Sequence, residues 1–272
     1  MTISIIGCGW LGKELAKTLL NKKYKVLGST TSEKKREELS NFGIDAHLLT
    51  INENAFINYS HPSIFQAETI IITLPFKRSF DPATIYESQI NSLIKKIKEY
   101  NQNSSPNIIF TSSTSIYPVN IKNVSESTPL KNLTPRQQTL YNVENAFKSF
   151  TKNHIILRLG GLFGGNRKIG MFLKNKTQLE NSNSPVNLIH RKDVINIIIN
   201  LISTNNFNIT LNCVCNHHPA KKDLYEYHAK KLNVSTPKFL KSDTLTKLVE
   251  STLITKILNY NFIYDNLYSD YD

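Results

Sequence analysis

Near its N-terminus the chain reads Ile3-Ser4-Ile5-Ile6-Gly7-Cys8-Gly9-Trp10-Leu11-Gly12, a short apolar strand, a turn with three glycines, then a segment with Leu11, Leu15 and Leu19 at helical spacing. Each glycine has its own task. Gly7 permits the tight turn, Gly9 lets backbone amides approach a pyrophosphate, and Gly12 lets helix and strand pack closely, so that the helix N-terminus meets the phosphates. An ordinary corner also uses glycine, but this spacing between a strand and an amphipathic helix is the setting a dinucleotide-binding fingerprint requires. Trp10 and Leu11, on the first helical turn, join the three glycines as predicted cofactor-binding residues.

The next strand, Tyr24 to Ser29, runs into Thr30, about where such folds place an acid that bonds the adenosine ribose 2'-hydroxyl. No acid is there. Thr30, Thr31 and Ser32 offer hydroxyls, and Lys34, Lys35 and Arg36 follow at a helix start, so a 2'-phosphate would meet no carboxylate. NADP is therefore the expected cofactor and NAD the alternative. The competing reading makes Lys34 to Arg36 a solvated helix face.

Beyond the fingerprint, strands and helices alternate. Ala46 to Leu49 reads as a short strand, Thr69 to Leu74 as a fully buried one, Ile108 to Thr111 as another, and His154 to Leu159 as a further one. Ile85 to Tyr100 reads as a helix with Ile90, Leu93, Ile94 and Ile97 on one face. Continuous apolar strands separated by helices predict an α/β fold, a doubly wound parallel sheet of the Rossmann type. Ligands of such sheets gather where strands end, so Leu74 and Pro75, closing the Thr69 strand, are further candidate cofactor contacts. After Gly160 the pattern loses regularity. The expected organisation is a nucleotide-binding domain over 1–160 and a smaller C-terminal substrate lobe over 161–272, with a segment near 186–215 returning to the first domain.

The chain has 272 residues, 40% of them hydrophobic, and no apolar run near the roughly 20 residues that span a bilayer. The first residues form a strand rather than a basic, apolar and cleavable leader, so no secretory signal is expected and the cytoplasm is the default location. A net charge of +12 raises nucleic acid as a partner, yet the lysines are scattered rather than clustered with aromatics and no binding motif is visible. Neither nucleic acid nor membrane is expected. Cys8, Cys213 and Cys215 are too few for a disulfide framework. Cys213, Cys215, His217 and His218 have metal-like spacing, but a buried strand explains small cysteines better and no metal is expected.

Three later segments bring a family into view. Phe110-Thr111-Ser112-Ser113-Thr114-Ser115-Ile116-Tyr117-Pro118 resembles the strand and serine loop of the extended short-chain dehydrogenase/reductases, the NAD(P)-dependent epimerase/dehydratase superfamily. Arg158 to Gly164 resembles the segment that leaves the sheet to build the substrate pocket. Asn187-Leu188-Ile189-His190-Arg191-Lys192-Asp193-Val194 resembles the later motif that introduces a helix near that pocket. The resemblance covers essentially the whole chain, with a glycine turn one residue shorter than usual, as in atypical members.

In that family a Tyr-x-x-x-Lys pair follows the serine loop, tyrosine acting as general acid/base and lysine lowering its pKa. Here the matching positions carry Arg136 and Leu140, with Glu144 one turn further; sliding the match pairs Tyr141 with the uncharged Asn145. Arginine cannot shuttle protons at physiological pH, but it can clamp an anion. The resemblance implies hydride transfer at a carbinol or carbonyl carbon of a small anionic or sugar-like substrate between the lobes. Ser113 and Arg136 would polarise the oxygen, and His190 is the candidate proton carrier. Tyr117 either lines that pocket or packs, and Asp193 reads as a helix N-terminal residue. Loss of both catalytic groups motivates a rival, an inactive NADP(H)-binding sensor that reports to a partner protein. A homodimer is left open.

Overall fold

The computed structural model describes residues 1–77, 83–118, 120–204, 206–240 and 246–269. It holds a sheet of eight strands in the order β11-β8-β6-β5-β1-β2-β3-β4. These strands are β1 (Thr2–Ile6), β2 (Lys25–Thr30), β3 (Asp45–Ile51), β4 (Ile57–Tyr59), β5 (Thr69–Ile72), β6 (Asn107–Ser113), β8 (His154–Leu159) and β11 (Ile209–Cys213). β1 pairs in parallel with β2 on one side and β5 on the other, while β2 pairs in parallel with β3 and β5 with β6. β4 is antiparallel to β3. The chain therefore builds outward from β1 through β2 and β3, then returns to the opposite side of β1 with β5. That reversal opens a crevice at the carboxyl ends of β1 and β5.

Alternation along the inner strands explains why two helical layers are needed. Ile6, Ile70, Ile72, Ile108 and Phe110 join one buried cluster, together with Ile90, Leu93 and Ile97 of α3 (Thr84–Tyr100) and Val143 and Phe147 of α4 (Pro135–Phe150). Ile3, Ile5, Ile71 and Ile109 lie between them in sequence and are equally buried, so successive side chains serve opposite faces. α1 (Trp10–Asn21) buries Leu11, Leu15, Ala16 and Leu19, the stripe its spacing predicts. The helix predicted over Ile85 to Tyr100 is α3. The buried strand is shorter than predicted, ending at Ile72, because Thr73 turns to serve the glycine loop. α2 (Glu33–Ser40) buries Leu39 alone among its eight residues, so it had no apolar periodicity to read.

The chain divides into two compact units, each discontinuous in sequence: 1–112, 133–157 and 201–210 form the first, and 113–132, 158–200 and 211–272 the second. The serine loop after Ser112 thus belongs to the second unit, whereas the division drawn at 160 assigned it to the first. The second unit contains two small parallel pairs, β9 (Gly161–Phe163) with β10 (Leu188–His190) and β7 (Asn123–Val124) with β12 (Leu248–Val249). Phe163, Val186, Leu188, Cys215, Leu224 and Leu267 make its core. Leu224 comes from α6 (Lys221–Lys231). Asp193, fully buried in the first turn of α5 (Arg191–Thr204), accepts hydrogen bonds from the Tyr260 hydroxyl and the Ile263 and Tyr264 amides, fastening the chain beyond α7 (Thr252–Leu258). No helix among the described residues is long and apolar enough to cross a membrane.

Candidate functional site

Gly7, at the end of β1, has φ +106°, a conformation that side-chain-bearing residues rarely adopt. Its N–H donates to Ser29 Oγ at 2.9 Å, and its carbonyl accepts from the Gly9 N–H at 2.7 Å and the Thr73 hydroxyl at 2.6 Å. The neighbouring strand ends thereby fix the turn. A Cβ on Gly12 would overlap the Gly7 carbonyl oxygen, so this glycine sets how closely α1 approaches β1. Gly9 differs: a Cβ there would meet no protein atom nearer than 4.0 Å. Its space is open. α1 begins immediately afterwards with no side-chain cap and no acid in its first turn, which leaves the positive end of its dipole without an acidic partner on that turn.

Cys8, between the first two glycines, borders the same site. Its thiol is buried against Gly28, where a Cβ would crowd Sγ at 2.7 Å, and burial pushes its pKa up to about 12. It therefore stays neutral within the turn.

A cavity of about 500 Å³ opens beside the turn, within the first unit. Of the residues predicted from sequence, Gly7, Gly9, Thr30, Thr31, Leu74 and Pro75 line it. Trp10, Leu11, Gly12 and Ser32 do not; Leu11 and Gly12 are buried in the α1 packing face, and Ser32 is the extended residue that precedes α2. Sequence reasoning missed Asn52 and Glu53, which follow β3, and left Lys35 undecided, though all three line the cavity. The available signal was topological, since a doubly wound sheet places the ends of β2 and β3 beside that of β1. Among the three basic residues of α2, Arg36 pairs with Glu33 of its own helix, and Lys35 is the one at the cavity.

The β5 side of the rim is held by stacked groups. The Tyr86 hydroxyl donates to the Leu74 carbonyl at 2.9 Å, and its ring stacks on Phe76 at 4.6 Å. The Arg136 guanidinium sits 3.9 Å from the Phe76 ring centroid and donates to the Lys77 carbonyl at 3.2 Å. The Arg136 cation thus braces the 74–77 segment. Arg136 lines neither this cavity nor the one described next. Leu140, one turn along α4, is 3% exposed. Glu144, one turn further, is fully buried and accepts from Ser112 Oγ at 2.6 Å, tying α4 to β6.

In the second unit, Ser113 Oγ accepts from the Ser115 N–H at 3.1 Å and so caps the short turn Thr114–Ile116. Ser113 also lines a cavity of about 420 Å³ together with Gly160, Asn187, Lys221, Tyr225 and Lys247. Tyr117 packs: fully buried, it donates to Asn212 Oδ1 at 2.7 Å and accepts from Arg158 at 2.8 Å. His190, the candidate proton carrier, is buried. It is 1% exposed, stacks on Tyr264 at 3.7 Å between ring centroids, and accepts the Lys192 N–H at Nδ1. Burial, with help from Lys192 and Arg191, lowers its pKa to about 4, and it lines neither cavity. The ring is therefore held neutral near pH 7 within the packing of the second unit. His217 and His218 bond the Leu267 amide and the Val186 carbonyl, and no group among the described residues is arranged to hold a metal ion.

No family model matches the chain. Protein YeeZ of Escherichia coli strain K12 is 30% identical over 266 residues, which cover 96% of each chain. Among solved structures, UDP-glucuronic acid 4-epimerase from Bacillus cereus in complex with NAD matches with a TM-score of 0.76 at 18% identity, covering 100% of this chain and 98% of that one. MoeE5 in complex with UDP-glucose and NAD matches with a TM-score of 0.76 at 13% identity, covering 98% and 96% respectively. At these identities the structural matches establish the fold.

Proposed function

Since the chain belongs to the family of Protein YeeZ, we propose that it is an NADP(H)-binding oxidoreductase of the epimerase/dehydratase type, acting on a small anionic or sugar-like substrate. One observation carries this reading: Gly9 faces open space at the mouth of an uncapped helix, above a cavity at the sheet's switch point. A Cβ would occupy the room a pyrophosphate needs. The fit extends outward, with Thr30 and Thr31 hydroxyls for the ribose, Lys35 for a 2'-phosphate, and Leu74 and Pro75 on the opposite wall. NAD in the solved relatives supports a nicotinamide dinucleotide, and Lys35 with the absence of an acid at the end of β2 favours NADP.

A bound nicotinamide would supply a reversible hydride acceptor at a carbinol carbon. The chain's contribution to substrate chemistry is Ser113, whose Oγ accepts from Ser115 and retains its own proton to donate to a substrate oxygen. Stopped-flow absorbance at the reduced-nicotinamide band, with a panel of sugar nucleotides and keto acids, tests the assignment. Turnover of at least one substrate, slowed at least tenfold in Ser113→Ala, is the expected result; cofactor binding without any turnover contradicts it.

A second reading, a sensor without chemistry, is favoured by what fills the Tyr and Lys positions: a brace at Arg136 and a core leucine at Leu140. It requires different affinities for oxidised and reduced cofactor. Equal affinities would remove it.

A further inference from the structure

We propose that the cavity of the second unit is an oxyanion site, in which Lys221 and Lys247 together hold a carboxylate or phosphate group of a compact organic ligand. Two lysines line this cavity, and none of its lining residues is an aspartate or glutamate. Lys247 Nζ donates to the Tyr117 carbonyl at 2.6 Å, and Lys221 Nζ to the Glu180 carbonyl at 3.1 Å. Among the described residues neither cation forms an ion pair. Ser113 lines the same cavity, as does Asn187, whose side-chain amide holds the Lys247 carbonyl and the Val249 N–H.

Partly buried cations carry a desolvation cost, and an anion between them recovers that cost while gaining charge-assisted hydrogen bonds. Burial lowers the pKa of both lysines, that of Lys247 to about 8, whereas Lys221 is partly offset by the Glu180 carboxylate. Lys247 is therefore the more strongly uncompensated of the two. Ligand chemistry follows from the lining: an oxyanion is selected over a neutral sugar face, and a cation is excluded. Taking this anion for the substrate rests on the dinucleotide reading above; the anion site itself does not.

The test uses the full-length chain with inorganic phosphate and malonate as probes. Acetic anhydride labelling at pH 8, read by peptide mass spectrometry, reports the reactivity of Lys247 and Lys221. One or both probes should slow labelling of Lys247 saturably, by about tenfold, where potassium chloride of equal ionic strength does not. The effective probe identifies whether the site takes phosphate or carboxylate. By calorimetry, Lys247→Met and Lys221→Met should each weaken binding of that probe about tenfold, and Lys247→Arg should retain it.

Protection no greater than chloride gives overturns the proposal, as does wild-type affinity in either methionine variant. Lys247→Arg and melting temperatures of all variants separate loss of charge from loss of fold. NADP titrated into the same samples keeps the two readings apart. Probe binding without NADP binding contradicts only the dinucleotide reading, and NADP binding without probe protection contradicts only the anion site.

Discussion

At the scale of single residues, similar sequence signals have different physical meanings. The three glycines of the first turn look equivalent in a motif, yet Gly7 is required by its backbone angle and Gly12 by helix-to-strand packing, whereas a Cβ on Gly9 would meet no protein atom nearer than 4.0 Å. His190 shows the converse. Its sequence position invites a catalytic role, but it is walled in by Tyr264 and Phe163 and held neutral. Because its folded pKa is depressed below the ordinary value near 6.5, the unfolded chain binds more protons between about pH 6.5 and 4, so its contribution is complete above that window and lost on acidification. The linkage amounts to about 3 kcal/mol over the window. Urea unfolding at pH 7 and pH 4.5 should show a steeper acid loss in the wild type than in His190→Gln. Parallel losses would remove the linkage.

At the scale of elements, the inner strands and α1 and α3 were legible because burial writes a period into sequence: two for strands, between three and four for amphipathic helices. The cavity's outer rim was not legible. Lys35 sits on a helix that buries one residue, and Asn52 and Glu53 follow a strand whose neighbours are set by sheet order, so neither carries an apolar pattern. The bracing contacts of Arg136 were not legible for a related reason. Its match to a catalytic position is a fact of alignment, while its partners, Phe76 and Lys77, lie 59 or more residues away in the chain. The proposed preference for NADP is assigned to the start of α2. Lys35→Ala should weaken NADP binding about tenfold and leave NAD within about twofold, as read by calorimetry. Equal losses for both would assign Lys35 a general electrostatic role.

At the scale of the whole molecule, the fold class followed from alternating strands and helices, and the sheet order places the glycine turn at the switch point where such folds bind ligands. The division into units was less legible, because the chain crosses between them several times and no composition shift marks each crossing. The reading of an NADP(H)-binding oxidoreductase depends on the glycine turn more than on any later residue. Calorimetric titration of NADP into the wild type and Gly9→Ala tests it most directly. The added methyl finds no protein atom nearer than 4.0 Å, so the variant should fold with a melting temperature close to the wild type's. The account predicts one saturable site in the wild type and affinity reduced at least tenfold in the folded variant. Absence of binding to the wild type, or equal affinity in the two proteins, would contradict it.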